Sequence, residues 1–202
     1  MKIREIISEG LNHPCIVVDV QPAYAAYAPK ICHNVIQYVN KQTGPVLMFV
    51  NAEQDGLTDD TIQDIQEWWA EATDYTINWD RFQIVDKGFG HFRAWMDNGV
   101  SDALIIKVIR MMYQQRVNSI DDLFGGEGSE QYEESMQHLA GDEYEDWMTY
   151  ELFNINWTSV SQLKRFNGAY IMGGGRNECL REVELLMNAF NIKYKRIDSL
   201  VY

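Results

Sequence analysis

Two short apolar runs constrain this chain more than any other feature. Residues 15–20, Cys15-Ile16-Val17-Val18-Asp19-Val20, and residues 46–50, Val46-Leu47-Met48-Phe49-Val50, are rich in branched side chains and do not alternate with polar ones. A strand with one wet face alternates. A continuous run is the mark of a strand buried on both faces, as in a parallel sheet covered by helices. Between the runs, Ile31, Val35, Ile36 and Val39 recur at helical spacing over residues 29–40, and Gly44-Pro45 ends that segment. Strand, helix and strand make one βαβ unit, whose crossover is right-handed by the general rule.

The same alternation continues. A helix is expected from about Thr58-Asp59-Asp60, which have capping character, through Ile62, Ile65, Trp68 and Trp69. A short third strand falls at residues 82–85, and a strong helix at 102–115 carries Leu104, Ile105, Val108, Ile109 and Met112. Toward the end come a strand at 169–172, a Gly173-Gly174-Gly175 turn, a helix at 178–190 and a closing strand at 192–197. The expected fold class is α/β, a three-layer α/β/α sandwich with a mainly parallel sheet. Residues 121–156 break the pattern. Gly125-Gly126-Glu127-Gly128 reads as a loop, and the acidic, aromatic stretch behind it keeps a loose helical period through Tyr132, Met136 and Leu139. It is read as an acidic helical insertion in a single domain spanning residues 1–202, a length that suits one domain.

Seventeen basic against thirty acidic residues leave a formal charge of −13. Nucleic acid and anionic membrane both call for clustered Lys and Arg, so neither is an expected partner. No apolar stretch approaches the ~18–20 residues of a membrane span. The opening MKIREIISEG lacks a signal peptide's apolar run and reads as a short amphipathic helix with Ile3, Ile6 and Ile7 on one side. It resembles the start of many tailed-phage proteins. Cys15, Cys32 and Cys179 are an odd number without CxxC spacing, which fits a reducing, cytoplasmic setting.

In open α/β sheets, sites form where loops converge at the carboxyl ends of strands. Three reactive side chains fall at such ends: Asp19 after the first strand, Lys87 after the third, and Cys179 at the first turn of the helix after residues 169–172. A cysteine attacks as its thiolate, which a helix N-terminus stabilises through free N–H groups and its dipole. A nearby lysine favours the anion and a carboxylate can accept its proton. The preceding glycines let backbone come close to a substrate. A lone cysteine on a helix is equally what a small buried apolar residue looks like, and an Asp at a strand end is commonly a turn residue. Trp68, Trp69 and Trp95 are read as core or subunit interface.

In these residues the chain resembles the isochorismatase-like cysteine hydrolases, which include nicotinamidases and related amidases. The motifs are Val17-Val18-Asp19-Val20-Gln21, a D-x-Q strand end; Lys87-Gly88-Phe89-Gly90-His91-Phe92, a lysine with aromatics behind it; and Gly173-Gly174-Gly175-Arg176-Asn177-Glu178-Cys179, a strand-to-helix turn ending in cysteine. The resemblance covers about residues 14–90 and 167–202. It implies Cys179 as nucleophile, Asp19 as general base and Lys87 as the polarising cation. It further implies an oxyanion hole from backbone N–H groups around Gly174, Gly175 and Cys179, with Gln21, Phe92 and Arg176 toward the substrate. Arg93 and Arg176 are the candidates for holding a substrate carboxylate. The activity implied is hydrolysis of a small amide-type molecule through a thioester, without a cofactor, by a homo-oligomer. Asn51-Ala52-Glu53 lacks the D-x-H metal pattern of nicotinamidases, so no zinc is expected. The rival reading is a binding or structural module on the same scaffold, with the acidic insertion as its working surface.

Overall fold

A computed structural model describes residues 12–51, 60–87, 92–125, 130–149 and 153–202. The expected N-terminal helix, with Ile3, Ile6 and Ile7, lies outside the described residues, as do residues 58–59 of the expected helix cap, the 126–129 part of the glycine loop and residues 88–91 of the lysine motif.

Five strands, β1 (Cys15–Val18), β2 (Val46–Val50), β3 (Phe82–Asp86), β4 (Ala169–Gly173) and β5 (Tyr194–Arg196), form one parallel sheet in the order β3-β2-β1-β4-β5. The apolar runs are buried on both faces. Ile16, Val18, Leu47 and Phe49 enter one core and Cys15, Val17, Val46 and Met48 the other. On the second face lie α2 (Pro29–Asn40), which buries Cys32, Val35, Ile36 and Val39, and α3 (Ile62–Ala72), which buries Ile65 and Trp69; the one-turn α1 (Pro22–Ala25) precedes them. Proline at the first turn of α1 and α2 loses no hydrogen bond there. α3 starts at Thr61 instead of the expected Thr58-Asp59-Asp60. Thr61 Oγ1 accepts from Asp64 N at 3.1 Å while Asp64 Oδ2 accepts from Thr61 N at 2.9 Å, a reciprocal capping box.

The first face carries α4 (Arg93–Asp97), α5 (Asp102–Gln115), α6 (Ile120–Phe124), α7 (Glu130–Ala140), α8 (Trp157–Leu163) and α9 (Cys179–Ala189). The stretch at 121–156 is built into this core. Tyr132 and Met136 are fully buried with Ile120 and Leu123 beside them, so the loose period in the sequence is the buried stripe of α7. Trp69 and Trp95 are core residues, whereas Trp68 is half-buried at the edge of the second core. No helix of the described residues is long and apolar enough to cross a membrane.

β1 stops two residues earlier than expected because Asp19 adopts a left-handed backbone, φ 52°. The chain winds outward from β1 through β2 to β3, then returns to the other side of β1 for β4 and β5. That reversal opens a crevice between the carboxyl ends of β1 and β4, where doubly wound sheets bind ligands.

Candidate active site

Asp19 closes β1, with its N–H on Phe49 O at 2.9 Å. Lys87 follows β3, with its N–H on Val50 O at 3.0 Å. The two therefore flank the end of β2 from opposite sides, two strand spacings or about 9–10 Å apart. A lysine side chain spans that gap. Lys87 Nζ lies 2.9 Å from Asp19 Oδ2, with the side chains only 6% and 2% exposed. The pair is close and buried, and the Asp19 carboxylate also faces the Cys179 thiol.

Cys179 completes the trio. It is the first residue of α9, set at the crevice by the turn from β4. Gly173 and Gly174 take positive φ, 78° and 59°, and a side chain on Gly173 would meet Val18 O at 2.4 Å. Only glycine lets β4 pass this close to β1. The turn gives the N–H groups of Glu178 and Leu180 to the Gly175 carbonyl, at 3.0 and 3.3 Å, and Glu178 makes no side-chain cap. The Cys179 N–H lies between them at the first turn of α9, where helix N–H groups have no acceptor within the helix.

The electrostatics differ from the expected ready thiolate. Burial pushes the Cys179 thiol up to about 12, the Asp19 carboxylate adds to this, and Lys87 opposes it. The resting sulfur is a thiol. Burial works against the Lys87 ammonium too, but Asp19, Cys179 and Glu182 outweigh it and hold the lysine above its ordinary range.

A fourth group escaped the reading of the sequence. Glu182, 4% exposed, stands one turn along α9 from Cys179 and accepts the Phe92 N–H at Oε1, 3.3 Å. Burial raises its pKa above the ordinary value; Lys87 and the Phe92 N–H oppose this, with smaller effects from Asp19, which raises it, and Arg93, which lowers it. Its signal was present: position i+3 from Cys179 puts it on the inward stripe of that helix. Lys87, Cys179 and Glu182 share a small cavity of about 20 Å³ with the apolar side chains of Phe49, Val160 and Leu163. That is room for about one water.

The other expected residues are placed as follows. Gln21, fully buried, is a staple: Oε1 accepts from Asn51 N at 2.9 Å, and Nε2 donates to Asn51 O at 2.8 Å and Asp60 Oδ2 at 3.0 Å. It ties the β1 loop to the end of β2. Phe92 was expected toward the substrate; its ring is instead fully buried, stacked on Phe153 at 5.1 Å, and only its backbone reaches the site. Arg93 pairs with Asp97 and, at 3.3 Å, with Glu178. Gly175 and Arg176 line an open cleft of about 610 Å³ walled by Tyr24, Tyr27 and Tyr202, and Arg176 pairs with Asp198 at 2.9 Å. Tyr202 donates its hydroxyl to the Asp19 carbonyl, and Tyr24 accepts from Asn51 Nδ2 at 2.8 Å, so the cleft wall is tied to the site. His91 lies outside the described residues. Among the described residues no three His, Cys, Asp or Glu side chains are grouped to hold a metal ion.

Set against protein-family models, curated proteins and solved structures, the chain matches none.

Proposed function

We propose that this chain is a cysteine hydrolase of the isochorismatase-like kind, acting on the C–N bond of a small amide through a thioester on Cys179. One observation carries the reading. A buried carboxylate–ammonium pair, Asp19 and Lys87, stands against a cysteine at the first turn of a helix, at the sheet's switch point. An apolar trio would stabilise a fold better than an ion pair out of water, which returns little or nothing net. The arrangement is costly for structure and useful for chemistry.

Asp19 takes the thiol proton as sulfur attacks, so the nucleophile is made only during the reaction and the protonated resting state is no obstacle. Lys87 Nζ, 2.9 Å from Asp19 Oδ2, faces the carboxylate that takes the proton. The carbonyl oxygen becomes an oxyanion against the Cys179 and Gly175 N–H groups. The amine leaves with a proton, and water releases the acid. The cleft beside Gly175 receives the substrate, with Arg176 at its edge. Action in the cytoplasm as a homo-oligomer belongs to the same reading, and requires no cofactor.

The raised thiol favours one alternative, a scaffold whose catalysis has lapsed and which works as a binding module. Two acyl donors separate them, p-nitrophenyl acetate and p-nitroacetanilide. The hydrolase releases chromophore with a stoichiometric acetyl adduct on Cys179, found by peptide mass, and Cys179→Ala loses turnover by ~10³-fold or more. Equal turnover in Cys179→Ala, or no adduct on Cys179 in the unaltered chain, contradicts the proposal.

A further inference from the structure

We propose that Glu182 is a second acid–base residue of this site, serving the leaving nitrogen and the hydrolytic water while Asp19 serves the thiol. The inference rests on the thioester reading above and deepens it.

Charge counting in a dry site leads to the division. The groups facing Glu182 are Asp19 from the end of β1, Lys87 from the end of β3, Arg93 from α4 and Cys179 from its own helix. Arg93 is occupied at the surface by Asp97 and Glu178. Among the described residues, the interior of the site holds two carboxyl groups and one ammonium. Two carboxylates beside one cation leave an unbalanced buried charge, so one carboxyl keeps its proton. Asp19, at 2.9 Å from Lys87 Nζ, is the ionised one. Glu182 meets a neutral backbone N–H at 3.3 Å and is the acid. Two carboxyl groups with different partners, an ammonium for one and a neutral N–H for the other, let one site hold a base and an acid at once.

Position agrees. Glu182 shares with Cys179 and Lys87 the cavity that has room for about one water. A purely structural role does not account for it. A glutamine would accept the Phe92 N–H as well, without burying an ionisable group.

The protons balance. Asp19 takes the proton of Sγ, the S–C bond forms and the carbonyl π pair moves to oxygen. As the C–N bond breaks, nitrogen takes the Glu182 proton and leaves as the neutral amine. Water then gives a proton to the Glu182 carboxylate and its oxygen adds to the thioester carbon. The C–S bond breaks and sulfur recovers its proton from Asp19. The sum is amide plus water to acid plus amine, with every residue restored.

Glu182→Gln tests this, because Gln still accepts the Phe92 N–H. With p-nitrophenyl acetate the leaving phenolate needs no proton from Glu182, which instead loses its proton to bulk water before it serves the water that attacks the thioester. The variant should form the acetyl-Cys179 adduct at the unaltered rate but release it roughly 100-fold more slowly, so the adduct accumulates. With p-nitroacetanilide, adduct formation should fall as well. The titration that Glu182 adds to the pH profile of release should vanish, and Glu182→Asp should recover part of the rate. Release at the unaltered rate by Glu182→Gln overturns the proposal. So does an equal loss of ester acylation and release, which marks a structural role. If the unaltered chain forms no Cys179 adduct, the thioester reading fails first and the role of Glu182 with it.

Discussion

Asp19 concentrates the costs of this site. It is a non-glycine residue at positive φ, 52°, which costs about 1–2 kcal/mol and which Asp tolerates better than most. Its carboxylate is taken out of water and balanced at close range by Lys87. Removing one member of such a pair strands the other. Lys87→Met should therefore destabilise the fold by about 3–5 kcal/mol. In Asp19→Asn/Lys87→Met both groups are neutral and Asn keeps the left-handed turn, so the double variant should be more stable than Lys87→Met alone. Urea unfolding midpoints decide it, and additive losses would mean that the two side chains do not depend on each other. The positions of Asp19, Lys87 and Cys179 were legible in the sequence because strand ends are legible. Glu182 left only its i+3 spacing from Cys179 as a trace, since the contact that holds it in the site comes from Phe92, 90 positions away in the chain. Phe92 misled for the opposite reason. An aromatic near a catalytic lysine suggests a substrate contact, and nothing local reveals that Phe153 stacks on it.

At the scale of elements, β2, α2 and α5 were readable to within a residue, since each is a run or stripe whose burial decides its conformation. Boundaries set by backbone geometry were less so. The end of β1 depends on one dihedral, and the start of α3 on a capping box one turn later than the first Asp-rich signal. The turn from β4 to α9 is the element on which the site depends. Gly168 and Gly173 stand at opposite ends of β4 with φ of 85° and 78°, yet a Cβ at Gly168 meets nothing within 4 Å and one at Gly173 meets Val18 O at 2.4 Å. Gly168→Ala should cost about 1–2 kcal/mol, the strain of positive φ alone. Gly173→Ala adds a collision with backbone and should cost about 3 kcal/mol or more. It should also displace Cys179 and suppress its acylation, which Gly168→Ala should not. Equal thermal stability of the two variants would remove the close approach of β4 to β1 as a determinant.

For the whole molecule, the parallel sheet clad on both faces follows from two unalternating apolar runs, and the switch point follows from the strand order. What local pattern could not supply was the state of the sulfur. A helix N-terminus and a lysine argue for a thiolate. The segment read as an insertion leads into α8, whose Val160 and Leu163 close over Cys179, and burial with Asp19 holds the proton on sulfur. The central claim is thus a coupling: Asp19 controls the proton of Cys179. Iodoacetamide alkylation, followed at Cys179 by peptide mass from neutral to strongly alkaline pH, reads that coupling directly. Alkylation should be slow at neutral pH and rise toward a midpoint of about 12. Asp19→Asn should lower the midpoint, because a negative neighbour is lost while Lys87 remains. A midpoint near the ordinary thiol value of ~8.5, or one that Asp19→Asn leaves unmoved, would contradict the account.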